Sequence, residues 1–230
     1  LGLPQGGAKA GVVGDPDAPP DQRRRRLETF ARAVDPLLRE RRYIPDADLG
    51  TDATAIRTMM QAVGIPMRAR DWRAGRSGDH TARSCLAAAD VLVVRRGLCW
   101  PACRVAIEGF GKVGGAAARM VAERGGRVVA VSTSHGALVD ADGLDVDDLT
   151  ARAAAAGSRF VLDTPGVLPR DALFDAPADV LLPCARRHGI DVATLDRVSA
   201  RVICPGANNP LTDDAEAALD ARGILSVPDF

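Results

Sequence analysis

Gly109-Phe-Gly-Lys-Val-Gly114 constrains this chain more than any other segment, because a G-x-G-x-x-G spacing is informative when it leaves a strand and opens a helix. Here Arg104-Val-Ala-Ile-Glu108 reads as a strand before it, residues 116–124 as an Ala-rich helix after it, and Arg127-Val-Val-Ala-Val131 as the next strand. Strand, glycine turn, helix and strand make a βαβ unit, which calls for a parallel sheet with crossover helices. In such a turn Gly109 permits the tight bend and Gly111 lets backbone approach a pyrophosphate. Gly114 allows the helix to pack closely, with its N-terminus facing the anion. The turn therefore points to a dinucleotide, held by Gly109, Phe110, Gly111, Lys112, Val113 and Gly114. Lys112 either meets a phosphate or faces solvent.

A carboxylate at the end of the second strand reads the ribose 2′-hydroxyl of NAD. This chain has Ser132-Thr133-Ser134-His135 there, so hydroxyls and an imidazole take that place. NAD and NADP are both admissible, with Thr133 as a cofactor contact. An ordinary strand-to-loop exit accounts for the same residues.

Alternating apolar strands and Ala-rich helices begin near Cys85, so residues 83–230 read as a Rossmann-like, doubly wound domain. Further strands are expected at 160–162, 179–182, 202–204 and 224–227, with helices over 145–156 and 212–222. Residues 1–82 read as part of a separate α/β substrate and assembly domain. Within it, Asp21 is placed to cap a helix running to about residue 42, kinked at Pro36. Its apolar stripe is Leu27, Phe30, Ala31, Val34, Leu37 and Leu38. A second helix is expected over 52–63, then a connecting loop over 66–81 that carries Arg68, Arg70, Arg73 and Arg76.

Composition excludes several classes. Formal charge is zero, and the run Arg23 to Arg26 is followed by Glu28, Asp35 and Glu40, so no sustained basic field offers itself to nucleic acid. No apolar run reaches the roughly 20 residues of a membrane span, and no signal segment opens the chain, so a cytoplasmic location is expected. Five cysteines, odd in number and without metal-type pairing to histidine, read as reduced structural thiols, and no metal site is expected. The opening glycine-rich loop has no element before it, and the chain stops just past a buried strand, so a fragment is expected.

Of thirty basic residues only Lys9 and Lys112 are lysines. An amine spared in an arginine-rich composition suggests a task that a guanidinium, always charged, does not perform. Lys9 stands in Leu3-Pro-Gln-Gly-Gly-Ala-Lys-Ala-Gly-Val-Val-Gly-Asp-Pro16, which resembles the active-site signature of the Glu/Leu/Phe/Val dehydrogenases. Ile44-Pro-Asp-Ala-Asp-Leu-Gly-Thr51 is similar to that family's second catalytic segment. The glycine turn, Cys204-Pro-Gly-Ala-Asn-Asn-Pro-Leu-Thr212 and the terminal Pro228-Asp229 follow in the same order, so the resemblance spans essentially the whole chain.

The resemblance implies reversible NAD(P)-dependent oxidative deamination of an L-amino acid to a 2-oxo acid and ammonia. It implies Lys9 as the catalytic lysine and Asp48, rather than Asp46, as the acid/base carboxylate. Gly6, Gly7 and Lys9 would contact substrate, Thr81 the nicotinamide, and Asn208 its ribose. Taken by themselves, Thr81 is a helix N-cap and Asn208 a loop side chain bonded to its own backbone. The full-length form is expected to be a homo-oligomer. The family's further substrate lysines and its Asn-Ala-Gly-Gly segment fall outside the chain, and Lys112 stands where the family often has Asn.

Substrate type is divided. Ile107-Glu-Gly-Phe-Gly, Ser134-His-Gly-Ala-Leu and Asp142-Gly-Leu-Asp resemble glutamate dehydrogenases. Ser77-Gly-Asp, Thr81-Ala-Arg83, Pro183-Cys-Ala185 and Ala207-Asn-Asn resemble the leucine, valine and phenylalanine enzymes. A dinucleotide-binding relative without catalysis, or a partial subunit, is the alternative from another class.

Overall fold

A computed structural model describes residues 6–15, 18–48, 50–67 and 77–227. Leu3, Pro16, Leu49, Pro228 and Asp229 of the motifs lie outside the described residues, as do Arg68, Arg70, Arg73 and Arg76 of the expected loop. Two compact units divide the chain, Leu1–Arg76 and Ser77–Phe230, six residues before the boundary the sequence suggests.

In the first unit the described regular structure is helical: α1 Pro20–Ala33, α2 Asp35–Arg39 and α3 Ala53–Ala62. Pro20 opens α1 at its first position, where the missing N–H is one that no helix would use. Asp21 is therefore not the cap; it lies in the first turn and accepts from Arg25 at 2.6 Å. The single helix expected here is two, broken at Val34 (φ −103°, ψ 9°), because Pro36 has no N–H to donate to the Arg32 carbonyl and its ring crowds that turn. Ala31 and Leu38 are buried with Ile56, Met59 and Val63, and Leu27, Phe30 and Val34 pack against them. Leu37 departs from the stripe and is exposed, since the break turns α2 relative to α1. Asp52 caps α3, accepting from the Ala55 N–H at 2.8 Å.

The second unit is built on a six-stranded sheet in the order β3-β2-β1-β4-β5-β6. These are β1 Arg104–Glu108, β2 Arg127–Thr133, β3 Gly136–Val139, β4 Val180–Pro183, β5 Val202–Ile203 and β6 Leu225–Ser226. All neighbours are parallel except β3, which returns antiparallel to β2 through Ser134-His135 and was not expected. Helices α4 Ser77–Arg95, α5 Lys112–Glu123, α6 Val146–Ala156, α7 Val192–Leu195 and α8 Asp213–Ala217 cover it.

Period-2 alternation distributes the strand side chains between two cores. Val105, Ile107, Val180, Leu182, Val202 and Cys204 join the core under α4, α5 and α6. Ala106, Leu181 and Ile203 join the opposite one, with Leu195 of α7 and Ala215 of α8. Each fully buried Val, Leu or Ile contributes roughly 1.5–3 kcal/mol.

Three expectations are corrected here. Residues 160–162 form part of a 3-10 turn, Gly157–Asp163, not a strand, because Phe160 packs its ring against Phe110, at 5.4 Å between centroids, instead of joining the sheet. The segment 77–81 is helical, because α4 begins at Ser77 with Asp79 in its first turn. Thr81 is thus inside α4 and is not an N-cap.

Asp145 caps α6 by accepting from the N–H groups of Asp147 at 3.0 Å and Asp148 at 2.9 Å. Asp145→Ala leaves both donors to water and is expected to cost about 1 kcal/mol, a fall in Tm of roughly 2–4 °C by thermal melting.

Candidate functional site

The strand order reverses at β1, which has β2 on one side and β4 on the other, each parallel to it. The carboxyl ends of β1 and β4 therefore form the switch point at which open α/β sheets bind ligands. Gly109 leaves β1 at φ +91°, a conformation that side chains rarely adopt. A Cβ there would come within 2.8 Å of Ala185 Cα, just beyond β4. A Cβ on Gly114 would stand 1.9 Å from the Gly109 carbonyl oxygen, so α5 packs on the turn at a distance only glycine allows. A Cβ on Gly111 would meet nothing within 4 Å, which leaves one side of the turn open. Two glycines close the turn on the protein, and the third is bare on the side where a pyrophosphate would approach. That arrangement fits a dinucleotide.

Two residues brace the turn in a role that sequence reasoning did not give them. Ser132 is buried at the end of β2; its carbonyl accepts from the Phe110 N–H at 2.7 Å and its hydroxyl from the Gly109 N–H at 3.2 Å. Glu108 is buried at 4% exposure directly before Gly109. Burial pushes its carboxyl above the usual carboxylate range, against the pull of Arg186, Arg170 and the Ala185 backbone N–H. A charged residue closing an apolar strand was the available signal.

The other expected cofactor residues occupy different environments. The Phe110 side chain is buried in the core, so only its backbone borders the turn. Lys112 is exposed at the start of α5, and a Cβ on Gly78 of α4 would come within 2.6 Å of its carbonyl oxygen. Val113 packs toward Gly206, whose Cβ would lie 3.1 Å from Val113 Cγ1, and this brings the Pro205–Asn209 loop beside the glycine turn. Asn208 is exposed in that loop. Thr133 is buried, and its hydroxyl accepts from the His135 N–H at 3.1 Å. Thr81 is exposed in α4.

In the first unit the structure brings together Lys9 and Asp48, 39 residues apart in sequence, with Nζ 2.5 Å from Oδ2. Asp48 is held by its neighbours: its N–H donates to the Thr51 hydroxyl at 2.9 Å, and its carbonyl accepts from the Thr51 N–H at 2.9 Å. Asp46 instead accepts from the Ala47 N–H beside it. Both members of the pair are exposed, at 80% and 63%, so opposite charge rather than burial holds them. Gly6 and Gly7 lie exposed in the same loop as Lys9.

Among the described residues no group of three or more His, Cys, Asp or Glu is placed to hold a metal ion. No helix among them is long and apolar enough to cross a membrane. Burial pushes the Cys103 thiol up to about 11 and Cys184 upward too, so neither supplies a thiolate nucleophile at neutral pH.

Residues 75–230 match the family model described as glutamate/leucine/phenylalanine/valine dehydrogenase. The NADP-specific glutamate dehydrogenase A1 of Halobacterium salinarum is 31% identical, over 99% of this chain and 58% of its own length. The NAD-specific glutamate dehydrogenase of Staphylococcus aureus is 29% identical, over 100% of this chain and 58% of its own length. Among solved structures, the hetero-hexameric glutamate dehydrogenase of Thermus thermophilus in its Leu-bound form superposes with a TM-score of 0.72 at 28% identity. That match covers 94% of this chain and 54% of the Thermus chain. The chain spans little more than half the length of these relatives.

Proposed function

The chain belongs to the glutamate/leucine/phenylalanine/valine dehydrogenase family, and from that membership we propose that the complete protein is an NAD(P)-dependent amino acid dehydrogenase. It would interconvert an L-amino acid with a 2-oxo acid and ammonia. The observation that carries the reading is the ion pair of Lys9 and Asp48, two residues 39 apart whose side chains meet at 2.5 Å. An ammonium beside a carboxylate pairs a group that stabilises a developing oxyanion with one that moves protons.

In this reading a bound dinucleotide would supply the hydride acceptor for the amino acid's α-carbon. Gly111 would offer its backbone to the pyrophosphate, with Gly109 and Gly114 holding the turn in place, and Asn208, Thr133 and Thr81 would flank its sugars and ring. The oxidised substrate is an imine. Lys9 orients the water that adds to its carbon and stabilises the oxygen as the carbonyl forms, while Asp48 passes protons between that water and the departing nitrogen. Gly6 and Gly7 leave the substrate's approach to Lys9 clear of side chains.

Glutamate is the proposed amino acid, supported by the names of the Halobacterium and Staphylococcus relatives. Those two proteins differ in cofactor, so NAD and NADP both stand for this chain; the exposed Ser134 and the His135 imidazole suit either sugar. A cytoplasmic homo-oligomer completes the reading, with the hetero-hexameric Thermus protein as support for assembly.

The test follows NADH and NADPH absorbance with ammonium and a panel of 2-oxo acids. Consumption with 2-oxoglutarate ahead of 4-methyl-2-oxopentanoate is expected. Dinucleotide binding without turnover on any acid would instead identify this chain as a non-catalytic relative or a partial subunit.

A further inference from the structure

We propose that Glu108 is a positioning residue for the glycine turn: the loop that leaves β4 wraps around its side chain, and that wrapping sets where the turn stands. The inference rests on reading the turn as a dinucleotide site, as above.

Glu108 ends a strand whose preceding residues are Val105, Ala106 and Ile107, and it is 4% exposed. An ionisable group at that depth needs partners. The β4 exit supplies them between Ala185 and Gly189. It is first tied to β1 by backbone alone, the Cys184 N–H donating to the Glu108 carbonyl at 2.7 Å, a bond that does not depend on the side chain. The Ala185 backbone N–H faces the Glu108 carboxyl. A Cβ on Gly189 would lie 3.1 Å from Glu108 Oε1, so the loop closes over the carboxyl there. Ala185 also presses on Gly109, whose Cβ would lie 2.8 Å from Ala185 Cα. The chain of contact runs from the Glu108 carboxyl to Ala185, from Ala185 to Gly109, and from the Gly109 carbonyl to Gly114. Truncating Glu108 removes the post that fixes the first link.

Its second oxygen, Oε2, is buried without a hydrogen-bond partner among the described residues. A protonated carboxyl tolerates that position better than a carboxylate. The groups that face it are the cations Arg186 and Arg170, the anion Asp171 and the Cys184 thiol, and burial outweighs the two cations. The sign follows. Neutral Glu108 predominates at lower pH; as pH rises through its raised titration, a buried negative charge forms beneath a turn that takes a dianionic pyrophosphate. Dinucleotide affinity therefore declines as pH rises.

Fluorescence titration of the 230-residue chain with NADH and NADPH tests this. Wild type, Glu108→Gln and Glu108→Ala are compared across the pH range in which circular dichroism shows them folded. Glu108→Gln keeps an acceptor for Ala185 and carries no charge, so it is expected to bind at least as tightly as wild type, with Kd flat against pH. Glu108→Ala is expected to bind roughly tenfold more weakly at every pH. A folded Glu108→Ala with the wild-type Kd, or a Glu108→Gln that keeps the wild-type pH slope, overturns the proposal. Should Glu108→Ala fail to fold, the pH profile of Glu108→Gln decides alone. Wild type that binds neither dinucleotide refutes the reading of the turn, and this inference with it; that result appears before any variant is measured.

Discussion

Lys9→Met is expected to lower amino acid turnover by about two to four orders of magnitude while leaving the Kd for dinucleotide unchanged. Methionine keeps an unbranched chain of similar length and removes only the ammonium. The loss is confined to chemistry because Lys9 pairs with Asp48 in the first unit, whereas the glycine turn begins at Gly109 in the second. Stability is expected to change little, since a pair exposed at 80% and 63% gains little from its own attraction. Lys9→Arg is the sharper control. It restores the charge as a planar fork that cannot give up a proton, so it is expected to recover little of the rate. Progress curves at saturating dinucleotide, with Kd measured separately, distinguish these effects. Undiminished turnover in Lys9→Met would place the chemistry elsewhere, in a Rossmann oxidoreductase unrelated to the Lys9 loop.

What the sequence revealed depended on whether a signal was local. The βαβ unit was legible because glycine spacing and apolar alternation each carry their meaning within a few residues, and β1, α5 and β2 form around that turn. The proline signal at Pro36 was local too, though it breaks the helix at Val34 instead of bending it. Phe160, Val161 and Leu162 misled because three apolar residues read alike in a strand and in a 3-10 turn; only the ring of Phe110, fifty residues earlier, decides between them. The antiparallel β3 is four residues long and follows a two-residue turn, too little for period-2 alternation to register. At the site, spacing could not bring Lys9 to Asp48 across 39 residues; their resemblance to two family motifs could. Ser132 and Glu108 were visible as residues, but their bracing of the turn was not legible, because it exists only once β2 and the β4 exit close on it.

Gly111→Ala and Gly114→Ala, three residues apart in one motif, are expected to fail in different ways. A methyl group on Gly114 would stand 1.9 Å from the Gly109 carbonyl oxygen and 3.2 Å from Ile107 Cγ2, both parts of the packed turn. Helix α5 can relieve that only by backing away from β1, which uncovers Ala116, Ala117 and Val121, now at 0–1% exposure. Overpacking of this kind costs about 1–3 kcal/mol or more, so Gly114→Ala is expected to lose both Tm and dinucleotide binding. Gly111 is the reverse case. Its φ of −100° is open to any residue, and its Cβ would meet nothing within 4 Å, so the folded chain should melt as wild type does. The same methyl would project into the space a pyrophosphate must enter, and a Kd weaker by roughly tenfold or more is expected from that alone. Melting curves and NADH titrations on the two variants separate packing from recognition. A Gly111→Ala chain that binds as tightly as wild type would move the dinucleotide off the open side of the turn, even with the fold intact.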